Sequence, residues 1–178
     1  MIVLVGESAS GKSSIEKYFV DNYGYNKIVS YTTRQPRRNE VDGVDYHFIS
    51  VEQFKSLKEQ SFFAETAIYN EWHYGVAKED CTDDKVAVLT PHGLRQVSKL
   101  KDINIISFYI NVPRRDRLIK ILQRGDSIEE SYRRNLSDVG MFDGIEDEVD
   151  YIINNVGYNK SIAEMSKEIL HLILTNNY

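Results

Sequence analysis

Gly6-Glu7-Ser8-Ala9-Ser10-Gly11-Lys12-Ser13 is the stretch on which the fold of this chain turns. It fits G-x-x-x-x-G-K-[ST], a loop whose successive backbone N–H groups cradle the phosphates of a nucleoside triphosphate. Glycine is needed at 6 and 11 because a side chain would obstruct the turn or the approach of the phosphate. Lys12 is placed to reach the β- and γ-phosphates, and the Ser13 hydroxyl to hold Mg²⁺. Glu7, Ser8, Ala9, Ser10, Gly11 and Ser14 complete the expected donor-binding set. The flanks agree with the loop. Met1 to Val5 reads as a short apolar strand, and Ile15, Phe19 and Tyr23 then recur at helical spacing, with Tyr18 at the edge of the stripe.

At 178 residues the chain has room for one good core and a small inserted lobe, hardly for two independent domains. Its 42% apolar and 28% charged residues are globular values, which excludes wholesale disorder. A formal charge of −5 argues against a nucleic-acid partner. The single cysteine, Cys81, rules out an intramolecular disulfide and a multi-cysteine metal site. No apolar run approaches a membrane span, and no signal segment precedes the first strand, so a cytoplasmic protein without a membrane partner is expected.

Downstream, strand and helix patterns alternate. Lys27-Ile28-Val29-Ser30 reads as a strand, followed by Tyr31-Thr32-Thr33-Arg34-Gln35-Pro36-Arg37-Arg38. These arginines form either a solvated loop or a phosphate-gripping one, for which the planar guanidinium fork is suited. Asp42-Gly43 marks a turn before a strand at Tyr46 to Ile49. Ser50 and Gln53 form a capping box for a helix that turns Phe54 and Leu57 inward. The aromatic-rich segment 32–76 reads as a mostly strand-like inserted lobe, its aromatics serving as core or as a ligand platform.

Val86 to Leu89 has the character of a buried parallel strand, and Thr90 with Pro91 opens a helix carrying Leu94 and Val97 inward. Ile103 to Val112 reads as the central strand. Beyond Pro113 a helix with Leu118, Ile121 and Leu122 leads through Arg124-Gly125-Asp126 to a second capping box, Ser127 and Glu130. Val149 to Ile153 is the last strand. Asn159 opens the closing helix, with Ile162, Met165, Ile169 and Leu172 or Ile173 on one stripe. Such alternation predicts an α/β fold, a parallel-sheet phosphate-loop core with helices on both faces. Its ligands should gather beyond the carboxyl ends of the strands.

With the loop, the arginine segment and Glu65 in place, the chain resembles the guanylate kinases from Ile2 to about Leu172. The resemblance is densest at Ser30 to Arg37 and at Asp42-Gly43-Val44-Asp45-Tyr46-His47-Phe48-Ile49-Ser50. It implies a single kinase domain whose core spans about 1–31, 77–119 and 146–178. The acceptor-binding lobe would cover about 32–76 and a lid about 120–145. It further implies Mg²⁺-dependent transfer of the γ-phosphoryl of ATP to GMP or dGMP, small nucleotides as the partners, and a monomer or homodimer. By position, Ser30, Arg34, Arg37, Tyr46, Tyr74 and Gly75 would surround the acceptor, with Glu65 accepting from guanine and Thr90 beside it. Lys12, Arg34 and Arg124 would carry catalysis, the last reaching the donor phosphates from the lid.

The chain departs from the family pattern at several positions. Val88 and Thr90 stand where the family has Asp-x-Asp, and Val76 replaces a hydroxyl after Tyr74-Gly75. Lys120 replaces a lid arginine, and Asn135 a further one, with Arg133 and Arg134 adjacent. Two rival readings follow, a kinase of a phosphorylated sugar and a non-catalytic module that binds phosphopeptides. The intact Gly11-Lys12-Ser13 counts against the second.

Overall fold

A computed structural model describes residues 1–37, 39–69, 71–123 and 128–175, with the backbone alone for Tyr69, Glu130, Ser131 and Arg134. Arg124 and the expected capping residue Ser127 lie outside the described residues. The core is a parallel sheet built from β1 (Ile2–Val5), β2 (Asn26–Lys27), β7 (Lys85–Val88), β8 (Ile106–Asn111) and β9 (Tyr151–Asn154), in the order β2-β7-β1-β8-β9. Every neighbouring pair in it is parallel. A second sheet of β3 (Tyr31–Thr32), β4 (His47–Phe48), β5 (Phe63–Tyr69) and β6 (Trp72–Ala77) has the order β4-β3-β6-β5. Here β6 runs antiparallel to both of its neighbours, while β3 and β4 are parallel.

The helices are α1 (Lys12–Tyr23), α2 (Val51–Glu59), α3 (Pro91–Val97), α4 (Arg114–Gln123), α5 (Ile128–Asp138) and α6 (Ile162–Thr175). Alternation along β1 explains the layering, because successive side chains of a strand point to opposite faces. Ile2 and Leu4 enter one buried cluster with Ile15 and Phe19 of α1 and Met165, Ile169 and Ile173 of α6. Val3 and Val5 enter another, with Leu94 and Val97 of α3. Helices therefore cover both faces, as expected from the sequence. Among the described residues no helix is long and apolar enough to cross a membrane.

Local signals that need no distant partner are realised. Ser50 and Gln53 form a reciprocal capping box on α2. Thr90 Oγ accepts from Gly93 N–H and Pro91 occupies the first turn of α3. Three expectations need correction. The strand read at 27–30 is split: Asn26–Lys27 joins the parallel sheet, Ile28 sinks into the core, and Tyr31–Thr32 pairs in the other sheet. On α4 Leu122 is 55% exposed, while the buried positions are Ile121 and Arg117, whose charge is paired within the fold. The closing helix begins at Ile162 rather than Asn159, after a capping box of Ser161 and Glu164.

Candidate active site

The phosphate loop leaves β1 at Val5 and enters α1 at Lys12. Gly6 has φ +154°, and a Cβ there would stand 2.8 Å from both the Ile110 carbonyl oxygen and Ser10 Oγ. Gly11 (φ +103°) and Ala9 (φ +66°) are both left-handed, which turns consecutive peptide groups toward the cleft as an anion-binding concavity. No side chain caps the N-terminus of α1, so its first N–H groups and its positive dipole end face the same space. Lys12 folds back over the loop, donating from Nζ to the Glu7 carbonyl at 2.8 Å and more weakly to Ser10 Oγ at 3.4 Å. Burial pulls its pKa from 10.5 down to about 8, opposed by the carboxylates of Asp138 and Glu7. An arriving polyanion is what this ammonium lacks.

One cleft of about 1080 Å³ joins this loop to a second group of polar residues. Arg34, only 6% exposed, donates from Nη2 to Glu40 Oε1 at 2.8 Å and from Nη1 to the Gln35 carbonyl at 2.9 Å. Its guanidinium lies 5.4 Å from the centre of the Tyr46 ring and 5.8 Å from that of Phe48, a cation–π seat that fixes its plane. Tyr74 meets Tyr46 edge to face, with ring centres 6.0 Å apart. Glu65, also 6% exposed, has no hydrogen-bond partner among the described residues, and burial pushes its pKa from 4.5 up to about 7. A Cβ at Gly93 would stand 3.2 Å from Glu65 Oε2, so glycine leaves the carboxylate its room.

Of the residues expected at the site, Ser8 to Ser14, Ser30, Arg34, Arg37, Tyr46, Glu65, Tyr74 and Thr90 all line this cleft. Two expected residues do not. Glu7 turns its side chain beneath the loop, to Arg117 and Tyr109, and offers the cleft side only its carbonyl to Lys12. Gly75 is a packing position, where a Cβ would fall 2.7 Å from the Phe63 ring. Arg124 lies outside the described residues. The substituted positions also separate: Val88 lines the cleft, whereas Val76 is 1% exposed within the core. Asn135 is buried and accepts from Arg114 Nη2 at 2.5 Å, while Lys120 and Arg133 face the cleft.

Sequence reasoning missed Glu40, whose pairing with Arg34 is made by the fold of an irregular loop. It also missed Tyr158, which donates from its hydroxyl to the Ala9 carbonyl at 2.8 Å and lies 5.4 Å beneath the Lys120 ammonium. That contact spans 149 residues and leaves no local trace.

The family model described as "Guanylate kinase" matches residues 1–172. A guanylate kinase of Helicobacter pylori is 29% identical, covering 100% of this chain and 91% of its own length. One from Rickettsia bellii is 30% identical over 96% and 93%, and one from Mycoplasma genitalium 27% identical over 96% and 75%. Among solved structures, the guanylate kinase of Anaplasma phagocytophilum shares the fold with a TM-score of 0.67. It is 21% identical, covering 98% of this chain and 84% of its own. A match over nearly the whole chain, with a phosphate loop and a buried carboxylate facing one cleft, places this protein in the guanylate kinase family of nucleoside monophosphate kinases.

Proposed function

We propose that the protein transfers the γ-phosphoryl of ATP to GMP or dGMP, with Mg²⁺, giving ADP and the nucleoside diphosphate. The observation that carries this reading is Glu65, a buried carboxylate without a partner in the cleft that also holds the phosphate loop. Guanine presents a ring N–H and an exocyclic amine side by side, two donors for two carboxylate oxygens. Adenine presents a ring acceptor there and would leave the buried charge poorly satisfied, at a cost of about 1–3 kcal/mol or more. Val88 and Thr90 add little discrimination, so the preference should be narrower than the family pattern implies.

Lys12 and the loop N–H groups bind and orient the triphosphate and meet charge developing on the transferred group. Arg34, Arg37, Tyr46 and Tyr74 hold the acceptor phosphate, and Arg124 supplies a further cation. No general base is required, since the acceptor is already an anion. Segments 32–76 and about 120–145 act as acceptor lobe and lid, and their closure excludes water. For the metal, Ser13 lines the cleft beside the loop, and no cluster of three His, Cys, Asp or Glu occurs among the described residues. This fits an ion that arrives with the nucleotide, keeping waters and taking one protein oxygen. When bound, such an ion would neutralise phosphate charge.

The test is coupled ADP release with GMP, dGMP, AMP, UMP, CMP and ribose phosphates as acceptors. GMP should give the highest kcat/KM, and Lys12→Ala should abolish turnover with an unchanged circular dichroism spectrum. A preference for AMP, a pyrimidine nucleotide or a sugar phosphate would overturn the reading.

A further inference from the structure

Beneath the phosphate loop lies a second charged cluster that the proposed reaction does not use. Arg117 of α4 is 5% exposed and donates from Nε to the Val112 carbonyl at 3.0 Å. Its other nitrogens reach Glu7 Oε1 at 3.2 Å, Asp138 Oδ2 at 3.4 Å and the Ser8 carbonyl at 3.5 Å. Asp138, the last residue of α5, accepts from the backbone N–H of Ser8 at 2.9 Å and from its hydroxyl at 3.3 Å. Tyr109 of β8 closes the cluster by donating to Glu7 Oε2 at 3.0 Å. Both peptide groups of Ser8 are thus held from outside the loop, its N–H by α5 and its carbonyl by α4.

From this geometry we infer that Asp138 and Arg117 are positioning residues for the donor nucleotide, acting through the Ser8 backbone. Pinning Ser8 orients the Ser8–Ala9 peptide and supports the left-handed Ala9, so that the loop's remaining N–H groups point into the cleft. The inference rests on the reading of this loop as the donor site.

Charge and positioning predict opposite signs here. Asp138 sits near the Lys12 ammonium, at the edge of an anion site. If it acted by charge alone, Asp138→Ala should tighten ADP binding, because a negative charge is removed. As a positioning residue, its loss should weaken ADP binding at least tenfold. Asp138→Asn keeps an oxygen for the Ser8 N–H and should recover to within about threefold of the native protein. Asp138→Glu keeps the charge but displaces the oxygen, and should weaken binding even if the alanine variant does not fold.

The measurements are ADP titration by calorimetry without acceptor, and the acceptor KM at saturating ATP. The acceptor KM should change less than twofold, which a general loss of structure would not allow. Asp138→Ala binding ADP as tightly as the native protein or tighter, or Asp138→Glu binding it unchanged, overturns the inference. A native protein that binds no ADP would instead overturn the donor reading on which the inference rests.

Discussion

Glu65 carries the sharpest consequences of any single residue. Its folded pKa of about 7 lies above its ordinary 4.5, so the folded chain holds the proton through the window between them. Stability therefore falls as pH rises across that window, by about 3 kcal/mol at about 1.4 kcal/mol per unit. Glu65→Gln should melt higher than the native protein at pH 8 and equally at pH 4.5 in parallel thermal scans. The same variant should lose about ten- to a hundredfold of the GMP-over-AMP preference in kcat/KM. Only the ionised carboxylate accepts from both guanine donors, so the KM for GMP should rise about tenfold per pH unit below 7. A flat acceptor KM between pH 5.5 and 7.5 would separate Glu65 from base recognition. In the same cleft, Arg34 and Glu40 hold one another. Arg34→Lys should raise the acceptor KM by losing the fork, whereas Glu40→Gln should lower it, since the phosphate no longer competes with a carboxylate. Equal KM values in both variants would place the acceptor phosphate elsewhere.

Elements succeed or fail as sequence readings according to the distance of what stabilises them. The box at Ser50 and the Thr90–Pro91 cap were legible because their hydrogen bonds close within a few residues, and the strand–loop–helix at 2–23 because its loop spacing and apolar periodicity are local even though β1 pairs with distant strands. The split of 26–32 was not, because two sheets take adjacent residues and only tertiary pairing decides where the chain changes partner. Arg117 was likewise illegible as a core residue: its carboxylates are Glu7, 110 positions away, and Asp138, 21 positions away. Most of the candidate site was readable, since its residues bear functional groups at family spacing; that Glu7 turns its side chain to Arg117 and Tyr109 was not, because spacing does not report which way a side chain turns. One element-level contact explains how Glu65 is aimed. Gln96 of α3 accepts from Thr66 N–H at 3.1 Å and donates to the Thr66 carbonyl at 3.0 Å, fixing β5 one residue from the carboxylate. Gln96→Ala should cost about 1–3 kcal/mol in urea unfolding and lower GMP selectivity without changing ATP binding. Selectivity that survived this substitution would leave the clamp a purely structural role.

Across the whole molecule the two sheets are not independent bodies. Val76, near the end of β6, is buried in the same cluster as Val3, Ala87 and Leu94, and Ala64 of β5 packs against that cluster. The other end of the hairpin is open, with Ile68 68% and Trp72 39% exposed. A chain cut to residues 32–76 should therefore fail to fold, giving a disordered circular dichroism spectrum. A folded fragment would show that the small sheet has a core of its own.

The buried end of that hairpin makes it a lever with its fulcrum at Val76 and Thr66. Any closing motion would then be graded along the strands, least beside Glu65 and greater toward the exposed Ile68 and Trp72. On the proposed reading, base recognition at Glu65 would then stay constant while the outer strands move, separating recognition from enclosure along one hairpin. A larger neighbour pressed on Val76 would be felt at Glu65, its partner across the strands.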